Sequence, residues 1–227
     1  MDGVGIQRVA VWSGWVRVAH WSLALSVLVL LLSGWLLAAV VPPLEATVRD
    51  YHYSAGYLFL GALTLRLALL FFGRGAAHWR DCIPQRTQLR AARNTLRCYL
   101  SLGRTPLPQW YAHNPLWGPV YLVWLAAFLV QGLSGLFIYA PYRVAGISLP
   151  VLHQWLAQPL GVVTALHIVA VFVHDLKGPG AHVSAMINGH RFFELQKPEG
   201  LAPFVQERPV TVVRAPRSGQ DGGSAPG

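Results

Sequence analysis

Residues 152–175, LHQWLAQPLGVVTALHIVAVFVHD, decide the fold of this chain. The stretch is apolar and long enough to cross the roughly 30 Å hydrocarbon core of a bilayer. It contains three histidines, His153, His167 and His174. His153 and His167 are fourteen residues apart, so on one helix they lie about 21 Å apart and within about 40° of the same face. Because polar side chains inside a membrane usually face the protein interior and carry function, the stretch predicts one half of two stacked metal sites.

The composition is that of a membrane protein with one domain. Of the 227 residues, 54% are hydrophobic and 12% are charged. Four spans are predicted, at 18–41, 52–73, 116–139 and 152–175, and acidic residues are absent from their interiors. We therefore expect an all-α integral membrane protein with a four-helix transmembrane bundle over residues 1–197. The remainder, 198–227, is rich in Pro, Gly and Ser and is predicted to be a disordered cytoplasmic tail.

The net charge of +9 is explained by topology. Fifteen of the Lys and Arg residues lie before the first predicted span, between the second and third, or after the fourth, and only Arg49 and Arg143 lie in the other two loops. The positive-inside rule then predicts that both termini and the long middle loop are cytoplasmic, as in a multi-pass protein of the bacterial inner membrane. No nucleic-acid partner is expected, and the sequence leaves homo-oligomerisation open.

The middle loop contains a predicted amphipathic helix. Leu89, Ala92, Leu96 and Leu100 share one face, and the opposite face is basic. This pattern favours a cytoplasmic helix that lies on an anionic leaflet of the lipid bilayer. A basic helix that docks on another protein is the alternative.

The other histidines complete two pairs at matching depths. His20 opens the first predicted span near the cytoplasmic surface, level with His167. His52 begins the second span from the periplasmic side, level with His153. His174 lies seven residues past His167 on the same face and is an alternative to it. We favour His167, because it lies deeper and matches the fourteen-residue spacing.

Two imidazoles from separate helices are the axial ligands that b-type heme iron needs, since the porphyrin occupies the four equatorial positions. A zinc or copper ion bound by protein alone needs three or four converging ligands, often with carboxylates or thiolates. The spans contain no such set. The sequence therefore predicts two heme b groups, bound by His20 with His167 and by His52 with His153.

Other residues of the predicted spans suit heme. Its propionates need cationic partners, and Arg17 and Arg66 are candidates. An Arg66 side chain that merely reaches the inner surface is the alternative. Gly34 and Gly135 are expected to leave room for the edge of a macrocycle, or simply to allow close helix packing.

The chain resembles the prokaryotic cytochrome b561 superfamily, with the b-type cytochrome subunits of membrane-bound nickel-iron hydrogenases. The resemblance covers roughly residues 8–195. It rests on Arg17-x-x-His20-Trp21, on His52 followed by Ala55-Gly56-Tyr57, on His113-Asn114-Pro115-Leu116, on the Leu-His-x-Trp and Leu-His of residues 152–167, and on Ser184-Ala-Met-Ile-Asn-Gly189.

This resemblance implies a diheme protein that passes electrons between a periplasmic redox partner and membrane quinone, with the quinone near the cytoplasmic heme. His113 and Asn114 are then candidates for the quinone site, and quinone reductase or quinol oxidase activity is a possibility. A helix-capping loop is the alternative role for these two residues. The chain departs from the hydrogenase subunits in its shorter external loops and in having a single histidine, His153, where they tend to have a pair. A periplasmic c-type cytochrome or another dehydrogenase therefore stands beside hydrogenase as a candidate partner.

Two other classes of function remain as alternatives. A histidine-lined membrane transporter would normally use carboxylates inside the membrane, which the predicted spans lack. A passive membrane anchor of a peripheral complex would not need histidines matched in depth. Heme binding by the purified protein distinguishes electron transfer from both.

Overall fold

The computed structural model describes residues 5–39, 41–101, 104–106, 108, 110–177 and 182–195, so the predicted tail at 198–227 lies outside the described residues. The described chain is mostly helical. In chain order its elements are β1 (Gly5–Ala10), α1 (Gly14–Leu37), α2 (Pro42–Phe72), α3 (Leu89–Leu100), α4 (Gly118–Leu136), β2 (Arg143–Val144), β3 (Ile147–Ser148), α5 (Leu149–Lys177), α6 (His182–Asn188) and β4 (His190–Leu195). Three short 3-10 helices, Gly75–Ala77, Trp79–Cys82 and Arg86–Gln88, lie between α2 and α3.

The helices α1, α2, α4 and α5 are long and apolar enough to cross a membrane. Between 6% and 33% of the residues in their most apolar stretches are buried within the protein. Large apolar side chains therefore cover the outside of the bundle, as lipid contact requires. The orientation of the bundle, with both termini in the cytoplasm, remains a prediction.

The second helix is longer than its predicted span. It begins at Pro42, whereas the span was expected to start at residue 52 after a loop. Proline is favoured in the first turn of a helix, because that turn does not use its backbone N–H groups as donors. An ion pair between Arg49 and Glu45, one turn apart, joins two side chains of the added segment. The residues expected to form most of the first external loop are therefore helical.

Each long helix of the bundle packs against the next long helix along the chain. Among the described residues, α1 packs closely against α2, α2 against α4, and α4 against α5. The core between α1, α2 and α4 includes Leu23, Phe59, Leu63 and Leu125. Close backbone packing does not join α5 to α1 or to α2 in the described chain. Among the long helices of the described chain, α5 therefore packs mainly against α4.

The sequence analysis did not predict any strands, and the description of the chain as all-α holds only for its helical bundle. The N-terminal β1 pairs with β4 in an antiparallel sheet, with Gly5 opposite Leu195 and Ala10 opposite His190. A small hairpin, β2–β3, precedes α5. Its turn has positive φ angles at Ala145 and Gly146, as a tight hairpin turn requires.

A short helix, α6, joins the sheet to the bundle. The guanidinium of Arg17 donates to the carbonyl of Ile187, and Trp21 Nε1 donates to the carbonyl of Met186 at 2.9 Å. These carbonyls lie in the last turn of α6, where they have no partner within the helix. The start of α1 therefore holds the C-terminal end of α6.

A helix, α3, is present in the middle loop at the place where an amphipathic helix was predicted. Its leucines Leu89, Leu96 and Leu100 are exposed, so its apolar face is not covered by the described protein. The hydroxyl of Tyr99 hydrogen-bonds to His174 of α5. That this helix lies on the cytoplasmic leaflet remains a prediction.

Candidate functional site

The structure brings His20 of α1 and His167 of α5 together. Their ring centres are 6.4 Å apart and their planes differ by 68°. The ring of Trp21 lies edge-on to His20, and that of Trp124 lies edge-on to His167 at 5.8 Å. We call His20 and His167 the first pair.

The structure also brings His52 of α2 and His153 of α5 together. Their ring centres are 6.2 Å apart and their planes differ by 80°. We call His52 and His153 the second pair. Each pair joins α5 to a helix against which its backbone does not pack closely. Between the positions of its two histidines, Gly161 of α5 faces Leu31 of α1, where an added Cβ would lie 3.3 Å from Cδ2.

The separation of the rings tests whether a metal fits between them. An imidazole nitrogen binds a metal at about 2.0 Å and lies about 1.1 Å from its ring centre, so two imidazoles on opposite sides of one metal have centres about 6.2 Å apart. Both observed separations match this value. No group of three or more His, Cys, Asp or Glu side chains in the described residues is arranged to hold a metal ion. Each pair therefore fits a metal whose other ligands come from a bound group, as in heme.

The second pair is hydrogen-bonded to neighbouring helices. Ser33 Oγ of α1 lies 2.9 Å from His52 Nδ1. On the other side, Ser134 Oγ of α4 lies 3.2 Å from His153 Nδ1, and the carbonyl oxygen of Gln131 lies 3.0 Å from the same nitrogen. In each histidine, Nδ1 therefore faces the protein and has a polar partner.

The first pair lacks such support. Within the described chain, neither ring nitrogen of His20 or His167 has a hydrogen bond. Indole rings surround it instead, and the cationic Arg66 lies close enough to His20 to interact with it electrostatically. The two pairs therefore share a spacing but differ in their surroundings.

Glycines lie next to both histidines of the second pair. A Cβ added at Gly34 would lie 3.5 Å from His52 Cε1, and one added at Gly135 would lie 2.8 Å from His153 Cε1. These glycines were expected to make room for a macrocycle or for helix packing. In the structure Gly135 makes room for the ring of His153, whereas a Cβ at Gly34 would meet His52 at an ordinary contact distance.

The two predicted propionate partners already contact the protein. Arg17 donates to Ile187 through one terminal nitrogen, and its Nε is buried without a partner. Arg66 is only 3% exposed, so its side chain does not reach the surface. Its Nη1 donates to the carbonyl of Ala77 at 3.1 Å, and its Nε donates to the hydroxyl of Tyr121.

His113 and Asn114, the predicted quinone residues, lie in the segment before α4. His113 Nδ1 donates to the carboxylate of Asp81 at 2.9 Å, and its ring lies 5.6 Å from that of Tyr121. The Asn114 side-chain oxygen accepts from the Leu116 backbone N–H at 3.0 Å, and its backbone carbonyl accepts from Gly118 N–H. Asn114 therefore forms the turn that leads into α4. Burial raises the pKa of the neighbouring Cys82 thiol to about 11.

His174, the alternative to His167, contacts a different set of residues. Its Nε2 lies 3.0 Å from the hydroxyl of Tyr99, whose ring stacks on the imidazole. Trp117 Nε1 and Asn114 Nδ2 both donate to that hydroxyl, so its own proton points to His174. Burial raises the pKa of Tyr99, and the hydroxyl therefore stays protonated at neutral pH.

Several residues of the site were missed by the sequence analysis. Ser33 and Ser134 each precede one of the two glycines, and this repeated Ser-Gly pair is a signal that was available. Trp124, Gln131 and Tyr121 had no comparable signal. Trp124 Nε1 is buried beside the first pair without a hydrogen-bond partner, and Gln131 Oε1 is buried in the same state beside the second pair. Buried polar atoms without a protein partner are expected next to a site for a non-protein group.

Comparison with known proteins gives one family. A family model described as prokaryotic cytochrome b561 matches residues 11–189. The chain is 24% identical over 213 residues to the probable Ni/Fe-hydrogenase 1 B-type cytochrome subunit of Escherichia coli strain K12, covering 80% of this chain and 90% of the relative. It is 25% identical over 215 residues to the probable Ni/Fe-hydrogenase B-type cytochrome subunit of Azotobacter vinelandii, covering 81% and 88%. No solved structure matches the chain.

Proposed function

This chain belongs to the prokaryotic cytochrome b561 family, and we propose that it is a diheme b-type cytochrome that transfers electrons across the bacterial inner membrane. The family and the four apolar helices support the coarser statement, that it is a multi-pass b-heme electron-transfer protein. The number of hemes, their ligands and the redox partners are our proposal.

The observation that carries the proposal is the spacing of the two histidine pairs. The rings of His20 and His167, and those of His52 and His153, stand at the separation that two axial imidazoles need. His153 and His167 both lie on α5, so the two sites are about 21 Å apart along that helix. Bound heme supplies one-electron chemistry at iron, and the residues of the chain hold and orient it.

Arg66 supports an anionic group beside the first pair. Its guanidinium is buried, and no carboxylate is paired with it among the described residues. A buried cation without an anion is costly, so a propionate near this position would stabilise it. Arg17 is the weaker candidate, because one of its nitrogens holds α6.

We further propose that electrons pass between quinone at the end of the bundle that carries the first pair and a redox protein at the other end. His113 is the stronger candidate for the quinone site, because it holds a proton on Nδ1 against Asp81 and its ring lies against Tyr121, the partner of Arg66. Asn114 is the weaker one, because its side-chain oxygen already accepts from the Leu116 backbone N–H in the turn before α4. The names of the relatives support a dehydrogenase such as a Ni/Fe-hydrogenase as the periplasmic partner, and a c-type cytochrome is the alternative.

Counting heme in histidine variants tests the ligand assignment. We expect two hemes per purified wild-type chain by the pyridine hemochrome method. His20→Ala, His167→Ala, His52→Ala and His153→Ala should each retain about one heme. The double variant His20→Ala/His167→Ala should also retain about one, because both residues belong to the same site.

His174→Ala is the matched control. It removes a histidine from the same helix, one that is held by Tyr99, and should retain two hemes. Two hemes in His167→Ala together with one in His174→Ala would move the ligand to His174. A folded wild-type protein that stays colourless after addition of heme would favour a transporter or a passive anchor.

A further inference from the structure

We propose that Ser33 and Ser134 are positioning residues, Ser33 for His52 and Ser134 together with the backbone carbonyl of Gln131 for His153, which hold both imidazoles with the proton on Nδ1 and thereby lower the reduction potential of heme bound by the second pair relative to heme bound by the first. This inference rests on the proposed function, because it assumes that both pairs bind heme.

The contacts of His153 decide where its proton lies. Its Nδ1 is 3.0 Å from the backbone carbonyl oxygen of Gln131, which can only accept a hydrogen bond. Nδ1 must therefore carry the proton. The Gln131 side-chain nitrogen, which can only donate, lies 3.4 Å from Nε2, as expected if Nε2 has a free lone pair. Nε2 is thus the nitrogen of His153 left to bind a metal.

The contacts of Ser33 likewise indicate that the proton of His52 lies on Nδ1. The Ser33 hydroxyl lies 2.6 Å from the carbonyl oxygen of Val29, one turn earlier in α1, and donates its proton there. Towards His52 Nδ1 the same hydroxyl is therefore an acceptor, and the imidazole is the donor. His52 accordingly has Nε2 free.

The two serines form the same arrangement on different helices. Ser134 donates to the carbonyl of Gln131 in its own helix at 3.0 Å and accepts from His153. Each serine is followed by a glycine, Gly34 or Gly135, that lies next to the imidazole, and at Gly135 the missing side chain leaves the space that the ring occupies. A Ser-Gly pair on a neighbouring helix thus supports each histidine of the second pair.

This arrangement has an electronic consequence. An imidazole that donates its distal N–H to an acceptor is a more basic ligand, and it stabilises the oxidised metal. The first pair has no such acceptor in the described part of the chain, and the nearby positive charge of Arg66 favours the reduced state there. Both effects place the second heme at the lower potential, so electrons would move spontaneously from the second pair to the first.

Potentiometric titration of the two hemes tests the inference. His20→Ala should leave only the heme of the second pair, which assigns its midpoint potential. In Ser33→Ala, Ser134→Ala and the double variant we expect two hemes, an unchanged first midpoint and a raised second one. The expected change is up to about tenfold in the reduction equilibrium, or about 59 mV for one electron.

The chain offers matched controls. Ser26 is buried in α1, and within the described part of the chain its hydroxyl bonds only to its own helix, at Ser22 and Leu23, so Ser26→Ala should leave both midpoints unchanged. Ser33→Thr and Ser134→Thr keep the hydroxyl and should restore the wild-type potential.

Three outcomes would overturn the inference while leaving heme binding intact. They are two unchanged midpoints in the double alanine variant, a shift confined to the first heme, or threonine variants that behave like alanine. Loss of the second heme from the alanine variants alone, with retention in the threonine variants, would support the positioning role. A wild-type protein without heme would instead refute the proposed function.

Discussion

The two histidine pairs have nearly the same ring separation, 6.4 Å and 6.2 Å, but they are built differently. Hydroxyl and carbonyl groups of α1 and α4 support the second pair. Indole rings and a buried arginine surround the first. Under the proposed function, the shared spacing would allow each pair to bind heme, whereas the groups behind the histidines would set how readily that heme accepts an electron. A substitution next to one pair should affect that pair alone, so the other pair serves as an internal control.

The largest expected effect comes from crowding a histidine of the second pair. In Gly135→Ala the new Cβ would lie 2.8 Å from His153 Cε1, so the ring must move away from Gln131 and Ser134. We expect heme content to fall from about two towards one per chain. Gly34→Ala is the control, because its Cβ would be at an ordinary contact distance of 3.5 Å from His52.

Both variants replace a helical glycine by alanine, which by itself favours the helix by about 1 kcal/mol. A general loss of stability would therefore not explain a difference between them. Two hemes in Gly135→Ala, with an unshifted His153, would show that the ring has more room than the structure indicates.

An intermediate effect is expected at the first pair. Arg66→Met removes a buried positive charge near His20 but keeps an unbranched apolar side chain of similar reach. Such a charge contributes on the order of 1 to 2 kcal/mol at an effective dielectric constant of about 20. The midpoint potential of the first heme should fall by tens of millivolts, and that of the second should stay. Arg49→Gln, which affects an exposed ion pair with Glu45, should change neither.

Potentiometry on these variants, with the assignment from His20→Ala, checks this prediction. A fall in both midpoints, or in the second alone, would contradict the assignment of Arg66 to the first pair. Loss of the first heme in Arg66→Met would also place Arg66 at the first pair, and it would show that the guanidinium is necessary for heme binding there.

A separate effect, on stability and not on either pair, concerns the pH dependence that Cys82 introduces. Burial raises the pKa of Cys82 from 9.0 to about 11. Between these values the folded protein keeps a proton that the unfolded chain has lost, so stability should fall as pH rises from 9 to 11 and should not depend on this thiol below pH 9. The fall should be about 2 to 3 kcal/mol at most. Denaturant unfolding in detergent, compared with Cys82→Ala, measures it; an equal slope in both proteins would assign it to other groups.

Much of the fold was predictable from local sequence. Uncharged apolar runs predicted all four long helices, and the middle-loop pattern predicted α3. The start of α2 was missed because a proline was interpreted as the end of one helix and not as the first turn of the next. The β1–β4 sheet was missed because its strands come from opposite ends of the chain, and such pairing leaves little trace in either strand alone.

The candidate site was predicted in part. The fourteen-residue spacing on α5 and the depths of His20 and His52 predicted which histidines would meet, and the structure brings those pairs together. Ser33 and Ser134 were passed over, because serine in an apolar helix commonly bonds to its own backbone. Only the neighbouring helix reveals their second contact. The role of Arg17 in holding α6 was likewise not visible from its position in the chain.

By itself the sequence determined that this chain forms long apolar helices and that two histidines share one face of the last of them. Those properties follow from the length of an apolar run and from the helical repeat, which are local. Only the tertiary structure decided that α5 packs mainly against α4, that each pair is held at its spacing, and that, among the described residues, hydroxyl groups support one pair and not the other. Helix rotation and packing set these contacts between segments far apart in the chain, and no periodicity within one segment encodes them.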